Sequence, residues 1–416
     1  MKKKLKRVGL VSLMVLAWTV FVGLGFVNGY LLFSIDSGHT TEGFAKAVKE
    51  RAQSQYIGNM GMLLLEKGEV AESFFLGQDG EEVNAQSPFP VASISKWVTA
   101  VGVLKLVEQG RLALDKPVDD YLTRWHLPKS DFDNRGVTVR RLLSHSAGLD
   151  DDLGYGGFAA GEKLQTLEES LTSAADGYYE GAKARVGYEP GSQFMYSGAS
   201  YTLLQLLIEE VSGQAFNEYM KAEVFEPTGM NQSSFLLSEA KAKGLVSIYK
   251  TDGSARPMKR FTAKAAASLM TSVEDLAKFM MALNVRQDLL SEEMLGLMYK
   301  PESFRNGFPW YGLGPKLYST SDKEVRIAGH DGSGNNAINT AARIDINSLD
   351  GIIILETGNR AFATDMADEW IFWQAGIADR VVMERNMPYL GALLIGGVLF
   401  IIISAILFFR RLKTKA

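Results

Sequence analysis

Residues 93–110 read SISKWVTAVGVLKLVEQG, and this stretch carries the clearest structural signal in the 416-residue chain. Apolar side chains recur there at a three-residue spacing, which places them on one face of a helix. They are Val98, Val101, Leu104 and Val107. Gly110 follows, and glycine often closes a helix in the left-handed conformation. The pattern therefore predicts a long buried helix over residues 95–109.

The same stretch begins with a serine and a lysine three positions apart. On a helix, Ser93 and Lys96 share one face, so the hydroxyl and the amine can meet without any other part of the fold. A serine hydroxyl is a weak nucleophile until a base accepts its proton, and a desolvated lysine can be that base. An S-x-x-K pattern also occurs by chance, with the serine serving only as a helix cap. The pair alone leaves both interpretations open.

Two further motifs follow along the chain. Tyr196-Ser197-Gly198 comes after a Pro-Gly turn, and His330-Asp331-Gly332 opens a glycine-rich turn after an apolar strand. Together with Ser93-Ile94-Ser95-Lys96 they resemble the three motifs of the serine β-lactamase-like family, S-x-x-K, Y-x-N and K-T-G or H-x-G. That family includes class C β-lactamases, D-alanyl-D-alanine peptidases and related esterases. The likeness covers nearly all of residues 50–377. Supporting segments lie at residues 110–118, 142–149, 225–230 and 311–314.

The resemblance implies a role for each reactive residue. Ser93 would be the acylated nucleophile, and Lys96 its partner in proton transfer. Tyr196 would pass a proton to the leaving group and later activate water. The backbone N–H groups of Ser93 and Ser333 would form the oxyanion hole.

The implied substrate-binding residues are His330, Asp331, Gly332 and Gly198, and two of them depart from the family pattern. Gly198 stands where the family usually has an asparagine that touches the substrate and the lysine. Asp331 stands where a hydroxyl residue often helps to bind a substrate carboxylate, and its charge would repel one. Neutral esters or uncharged amides are therefore the expected substrates. In the competing view, strand alternation turns Asp331 away and a protonated His330 binds a carboxylate.

Strands are predicted at both ends of the central region, with helices between them. Apolar runs at residues 61–65 and 70–75, broken at Lys67-Gly68, predict a hairpin. Runs at residues 325–328, 337–344 and 351–356 predict later strands, and helices are expected at residues 44–53, 203–211, 273–283 and 364–375. The pattern predicts an α+β fold, an antiparallel sheet flanked by helices plus a helical lobe. The resemblance makes it β-lactamase/transpeptidase-like, with one transmembrane helix at each end.

Two uncharged apolar segments, residues 8–33 and 388–409, can each cross a hydrocarbon core about 30 Å thick as a helix. Basic tails at residues 1–7 and 410–416 lie outside them, and the positive-inside rule assigns both tails to the cytoplasm. Residues 34–386 then form an extracytoplasmic domain at the cell membrane. A cleaved secretory signal is the alternative for the first segment. That segment exceeds the usual apolar core of a signal, and no A-x-A pattern follows it.

Composition excludes several classes of protein. The chain has no cysteine, so disulfides, thiolate metal sites and a cysteine nucleophile are ruled out. The four histidines form no H-x-H or H-E-x-x-H pair, so we expect no metal and no cofactor. His145 lies in a turn and is expected to be a structural hydrogen bonder. Without the nine terminal basic residues, 35 basic residues face 48 acidic ones, a net charge of −13 that disfavours nucleic acid.

These observations predict a membrane-anchored serine hydrolase that acts through a covalent acyl-enzyme on an ester or amide. The substrate would be a cell-envelope or small acyl compound. A β-lactamase or a D-Ala-D-Ala carboxypeptidase is an alternative. Another is a non-catalytic penicillin-binding-type receptor, although the tails are too short for an output domain. The expected partners are the acyl substrate and the lipid bilayer, and no protein partner is indicated.

Overall fold

The computed structural model describes residues 2–55, 57–150, 155–179, 181–286, 288–319, 325–334 and 337–414. Met1, Lys415 and Ala416, which belong to the predicted tails, lie outside the described residues. The chain divides into two compact units. One is Thr40–Ala367, and the other combines Met1–His39 with Asp368–Ala416. The first unit lies within the predicted boundaries 34–386.

The strands are β1 (Met60–Glu66), β2 (Glu69–Leu76), β3 (Phe89–Pro90), β4 (Ile248–Tyr249), β5 (Ala255–Arg256), β6 (Met270–Thr271), β7 (Ser303–Arg305), β8 (Phe308–Tyr311), β9 (Lys316–Ser319), β10 (Val325–Gly334), β11 (Ile338–Asp345) and β12 (Gly351–Thr357). The α-helices are α1 (Lys2–Val27), α2 (Thr41–Ser54), α3 (Ile94–Glu108), α4 (Val139–Leu143), α5 (Leu167–Thr172), α6 (Gly198–Ser212), α7 (Phe216–Met220), α8 (Glu226–Thr228), α9 (Leu237–Ala242), α10 (Lys264–Ala267), α11 (Val273–Asn284), α12 (Glu292–Tyr299), α13 (Phe362–Ala375) and α14 (Arg380–Thr414).

One antiparallel sheet joins the two ends of the larger unit. Its order is β2-β1-β12-β11-β10-β9-β8-β7, so the early hairpin pairs with the last strand. The hairpin turns where predicted, with Lys67 and Gly68 both in the left-handed region. Residues of β1, β11 and β12 share a core with α3 and α11. The predicted α+β architecture is therefore confirmed.

The central helix, α3, is buried almost throughout. It begins at Ile94 and ends at Glu108, and Gly110 follows at φ 68°, as the sequence predicted. Trp97 contacts Phe279 of α11 edge to face, with ring centroids 5.3 Å apart. Burying one large apolar side chain stabilises a fold by about 1.5–3 kcal/mol. The core thus fixes the helix, and with it Lys96, which is 3% exposed.

A helical lobe lies between β2 and β7 in the sequence, and α6 is its main buried helix. It packs against α3, α4 and α10. Its N-cap is Ser197, whose Oγ accepts a hydrogen bond from the Ser200 N–H at 2.9 Å. Gly213, at φ 73°, follows its last turn. Tyr196 therefore lies one residue before the N-cap of α6, whereas Ser93 is itself the N-cap residue of α3.

Two strand predictions need correction. β10 continues beyond the predicted residues 325–328, so His330, Asp331 and Gly332 lie within a strand and not in a turn. Antiparallel pairing with β11, from Ile327 to Gly334, holds this glycine-containing stretch extended. The strands β7, β8 and β9, of which β7 forms the edge of the sheet, were not predicted. They are short and lack the alternation by which strands are recognised.

The smaller unit contains both apolar helices, and its first helix begins and ends earlier than the predicted segment 8–33, at Lys2 and Val27. Leu5–Val27 and Arg380–Arg411 are long and apolar enough to cross a membrane, by length and composition. α1 ends at Val27, because the Asn28 side chain bonds the Leu24 carbonyl at 2.8 Å and Gly29 adopts φ 81°. The predicted span to Phe33 is therefore not helical in its last residues. α14 extends beyond residues 388–409 at both ends.

The two apolar helices pack against each other within this unit. Gly397 leaves room for the Trp18 ring, which a Cβ at that position would overlap. Arg7 lies over the Phe409 ring, 4.7 Å from its centroid. Outside this pair, Arg385 forms an ion pair with the buried Glu369 at 2.5 Å. Close packing over a glycine is typical of helix pairs in membranes.

Candidate active site

Ser93 stands on a strained bend at the start of α3. The residue before it, Ala92, has φ 45°, a left-handed conformation that costs a residue with a Cβ about 1–2 kcal/mol. Ser95 holds this bend, because its Oγ donates to the Ala92 carbonyl at 2.5 Å and accepts the Leu269 N–H at 2.9 Å. The Ser93 side chain makes no capping hydrogen bond although it occupies the N-cap position. Ser93 is therefore not a simple helix cap.

The Ser93 hydroxyl instead faces the buried Lys96 ammonium. Lys96 Nζ lies 3.2 Å from Ser93 Oγ and donates to the Ala266 carbonyl at 2.7 Å. The same nitrogen is 4.9 Å from the centroid of the Tyr196 ring and 5.7 Å from that of Tyr201. Nucleophile, amine and phenol ring thus meet in one place. Such an arrangement can pass a proton from the serine to a leaving group.

The His145 ring packs against the Tyr196 ring. Their ring centroids are 4.4 Å apart, and His145 Nδ1 accepts the Ser197 N–H at 3.1 Å. Burial lowers the pKa of His145 well below its ordinary value, and the Lys96 charge acts in the same direction. The neutral ring with an accepting Nδ1 must carry its proton on Nε2, which has no hydrogen-bond partner among the described residues. His145 holds the start of α6, consistent with the structural role expected for it.

His330 is neutral as well, which bears on how it could bind a substrate. Burial lowers its pKa to about 4, and the nearby Lys96 charge adds to the effect. Its Nδ1 lies 2.7 Å from the Asp331 carbonyl, and its Nε2 lies 2.9 Å from Tyr311 Oη. The Asp331 carbonyl can only accept a hydrogen bond, so Nδ1 of the neutral ring carries the proton. Nε2 therefore accepts a hydrogen bond from the Tyr311 hydroxyl. Near neutral pH, His330 therefore offers no positive charge to a carboxylate.

Asp331 carries a compensated charge. Its carboxylate lies 2.8 Å from the Arg343 guanidinium and 3.4 Å from Lys316 Nζ. Burial alone would raise the pKa of Asp331, but the charges of Arg343 and Lys316 hold it well below its usual range. Arg343 is itself buried and lies over the Tyr318 ring. The predicted repulsion of a substrate carboxylate requires an unpaired Asp331, and the structure shows a paired one.

Gly332 allows β10 to lie against the segment that leads to Ser93. A Cβ at this position would overlap the Val91 carbonyl and the Thr340 hydroxyl. Thr340 Oγ1 donates to that same carbonyl at 3.0 Å. The close approach places Ser333 beside Ser93 on the wall of one cavity. This juxtaposition is what an oxyanion hole built from the two backbone N–H groups would need.

A cavity of about 410 Å³ brings all the predicted site residues together. Its walls include Ser93, Lys96, Tyr196, Gly198, His330, Asp331, Gly332 and Ser333. They also include Tyr155, Arg256, Lys259 and Lys316, which sequence reasoning missed. These four lie outside any motif, and no local pattern marks them. Three of the four are cations, Arg256, Lys259 and Lys316, and among the described residues that line the cavity the carboxylate is that of Asp331.

The fold and this site define the β-lactamase/transpeptidase-like class, whose members are generally serine hydrolases. The chain belongs to the beta-lactamase family, since it matches the family model described as "Beta-lactamase" over residues 44–370.

Relatives and solved structures support this placement. Protein flp of Staphylococcus aureus (strain COL) is 27% identical over 241 residues, covering 55% of this chain and 46% of that protein. Penicillin-binding protein 4* of Bacillus subtilis (strain 168) is 33% identical over 156 residues, covering 36% of this chain and 31% of that protein. The match thus spans less than half the length of these curated relatives. The octameric penicillin-binding protein homologue from Pyrococcus abyssi superposes with a TM-score of 0.66 at 26% identity, covering 82% of this chain and 78% of that one.

Proposed function

We propose that this chain is a serine hydrolase that cleaves an ester or amide through a covalent acyl-enzyme on Ser93. The observation that carries the proposal is the Ser93 hydroxyl, which makes no helix-capping bond and lies 3.2 Å from the buried Lys96 amine. A serine used only as a cap would bond to the backbone of its own helix. Here it faces an amine inside a cavity large enough for a small substrate.

The proposed reaction has two steps. In the first, which requires Lys96 as the neutral amine, Ser93 Oγ attacks the carbonyl carbon, its proton passes through Lys96 and Tyr196 to the leaving alcohol or amine, and an acyl ester forms on the serine. The N–H groups of Ser93 and Ser333 would stabilise the oxyanion. In the second, water attacks the acyl ester, loses a proton to the same pair and releases the acid. The proton returns to Ser93 Oγ.

A second candidate reaction is favoured by the charges around the cavity. Arg256, Lys259 and Lys316 join Lys96 on its walls, and Asp331 is paired. An excess of cations attracts a substrate carboxylate, the group that β-lactams and D-Ala-D-Ala peptides carry. This weakens the expected preference for neutral substrates and supports β-lactamase or carboxypeptidase activity. Gly198, which lacks the amide side chain usual in the family, still argues for esters.

A fluorophosphonate probe tests for the nucleophile directly. We expect one covalent adduct on the full-length protein, measured by intact mass, and its loss in Ser93→Ala. Ser192→Ala is the matched control, because Ser192 is exposed and lies outside the cavity. Labelling that persists in Ser93→Ala would refute the proposal, and a complete absence of labelling would favour a non-catalytic receptor. Rates of hydrolysis of a chromogenic cephalosporin, a D-Ala-D-Ala peptide and short acyl esters then distinguish the candidate reactions.

We further propose that the chain is anchored in the cell membrane by α1 and α14, with the larger unit on the extracytoplasmic side. The support is the length and apolar composition of both helices and the basic residues at their outer ends. Protease added to right-side-out spheroplasts should digest the larger unit. Protection of that unit until the membrane is broken would contradict the orientation.

A further inference from the structure

A second cavity, also of about 410 Å³, lies in the helical lobe beside the active site. It is bounded by α9, by α10 and by the segments 158–164 and 258–261. Much of its wall is apolar and comes from Leu164, Phe235, Leu237, Met258, Phe261 and Met270. A wall of this composition suits a hydrocarbon chain or ring.

The charged residues on the wall of this cavity all have the same sign. They are Lys241, Lys259, Arg260 and Lys264, and no carboxylate is among the residues described as lining it. The chain as a whole has more acidic than basic residues, 48 against 44, so its overall composition does not account for a cluster of cations alone. Cations that line an apolar concavity focus their field into it and attract anions.

Two of these cations have no counter-charge in contact. In the described part of the chain, the Lys241 and Lys264 side chains form neither a hydrogen bond nor an ion pair within 4.0 Å. Lys264 is half-buried, and burial lowers its pKa, which Glu209 only partly opposes. The Nε of Arg260 is also buried without a partner. Lys241 is exposed to solvent, whereas the half-buried Lys264 and the buried Arg260 Nε have lost hydration that a bound anion would replace.

The second cavity adjoins the active site through shared residues. Met258, Lys259 and Phe261 line both cavities. α10 connects them as well, because it carries Lys264 at the second cavity and Ala266, whose carbonyl accepts the Lys96 ammonium at 2.7 Å. A ligand that extends from Ser93 to Lys259 therefore contacts residues that also line the second cavity.

We infer that the second cavity binds an amphiphilic anion, an apolar chain or ring that carries a phosphate or carboxylate. It is the remote part of the substrate whose ester or amide bond lies at Ser93, so the inference rests on the proposed function. Met258 and Phe261 contact the apolar part, and Lys241 and Lys264 bind the anionic group. The two sites together define a substrate longer than the active-site cavity alone would hold.

Direct binding tests the second cavity apart from catalysis. Octyl phosphate is titrated by calorimetry into full-length Ser93→Ala protein in lipid nanodiscs, with octanoate, inorganic phosphate and octanol as parallel probes. Adding Lys241→Gln and Lys264→Gln together should weaken octyl phosphate binding about tenfold. Lys250→Gln is the matched control, because Lys250 is an exposed lysine that lines neither cavity. Thermal unfolding of each variant checks that it is folded.

Each outcome bears on the inference. The inference is supported if octyl phosphate or octanoate binds and the two lysines are required, and the better of the two probes identifies the anionic group. Equal affinity in the parent and double variant overturns it, as does inorganic phosphate that binds as tightly as octyl phosphate. A kinetic pair then ties the site to catalysis. The double variant should lose about tenfold in kcat/KM on the mono-p-nitrophenyl ester of sebacic acid and keep its rate on p-nitrophenyl octanoate. If Ser93 is never acylated while octyl phosphate still binds, the proposed function and the assignment of the anion as part of its substrate fail, and the binding of an amphiphilic anion in the second cavity stands.

Discussion

The two walls of the active-site cavity are constructed differently. On one wall, Ser93 and Lys96 come from a single turn of α3, and their separation follows from helix geometry. On the other, Lys316 of β9 and Arg343 of β11 meet around the carboxylate of Asp331 in β10. The first wall places the serine hydroxyl beside the lysine amine, and the second influences the charge that a substrate meets. The serine and lysine pair is thus encoded within one helical turn, whereas the Asp331 ion pairs require three strands to pair in register.

The largest effect on activity is expected from substitutions in α3 and at its N-cap. Ser93→Ala or Lys96→Ala should each reduce kcat on any accepted substrate by about 10³-fold or more, because nucleophile and base act as a unit. Lys105→Ala is the matched control, since Lys105 lies on the same helix but lines neither cavity. Steady-state kinetics on the best substrate found would measure the effect. Retained turnover in Ser93→Ala would show that the wall formed by α3 does not supply the nucleophile.

Gly332→Ala tests how closely β10 must approach the segment that precedes α3. The added Cβ would overlap the Val91 carbonyl, and because backbone cannot yield as a side chain can, we expect a loss of about 1–3 kcal/mol in the free energy of unfolding. Activity should fall with it, because Ser333 would move away from Ser93. Gly296→Ala, in α12 with open space around it, should be neutral or stabilising by up to about 1 kcal/mol. Thermal unfolding compares the two, and equal stability would show that the contact is dispensable.

His330 on β10 should make the stability of the folded protein sensitive to acid. Its folded-state pKa of about 4 lies below the ordinary value of 6.5, so the folded protein binds fewer protons than the unfolded chain between these values. Stability is then fully present above about pH 6.5 and is lost as pH falls towards 4, by about 3 kcal/mol in total. Chemical unfolding at a series of pH values should show a shallower decline in His330→Asn.

His145 is expected to act through Tyr196, as a positioning residue. His145→Phe removes the acceptor for the Ser197 N–H and should lower kcat about tenfold with little change in KM, because Tyr196 is displaced while the other residues that line the pocket keep their places. The ring is neutral, so the pH profile of kcat between pH 6 and 8 should keep its shape. A change in the shape of that profile in His145→Phe would mean that His145 takes part in proton transfer.

The smallest effect is expected at Asp331. Asp331→Ser should raise kcat/KM for carboxylate-bearing substrates relative to neutral esters by about two- to fivefold, because Lys316 and Arg343 lose their counter-charge. It should also destabilise the protein, since Arg343 is buried and would lack this partner. Relative rates on one carboxylate and one neutral ester measure the first effect. An unchanged ratio would show that Asp331 faces away from the substrate.

Much of the fold could be predicted from local patterns. The three-residue apolar spacing after Lys96 indicated α3, and Lys67-Gly68 marked the hairpin because glycine readily takes the left-handed conformation that the turn needs. The extent of β10 could not be predicted, since glycines at 329, 332 and 334 indicate a turn unless a neighbouring strand holds them extended. The early end of α1 depends on an Asn28 side-chain bond, which hydropathy does not detect.

By itself, the sequence determined the elements whose geometry repeats over a few residues. The buried helix, the serine and lysine on its first turn, and the two apolar terminal segments all depend on neighbours along the chain. Only the tertiary structure decided that Ser93 faces Lys96 without capping α3, that Asp331 is paired, and that a cationic cavity adjoins the active site. The physical reason is that these contacts form between separate helices and strands. Asp331 and Arg343 are 12 residues apart in the chain and Lys96 and Ala266 are 170 apart, and no local period records which side chains will meet.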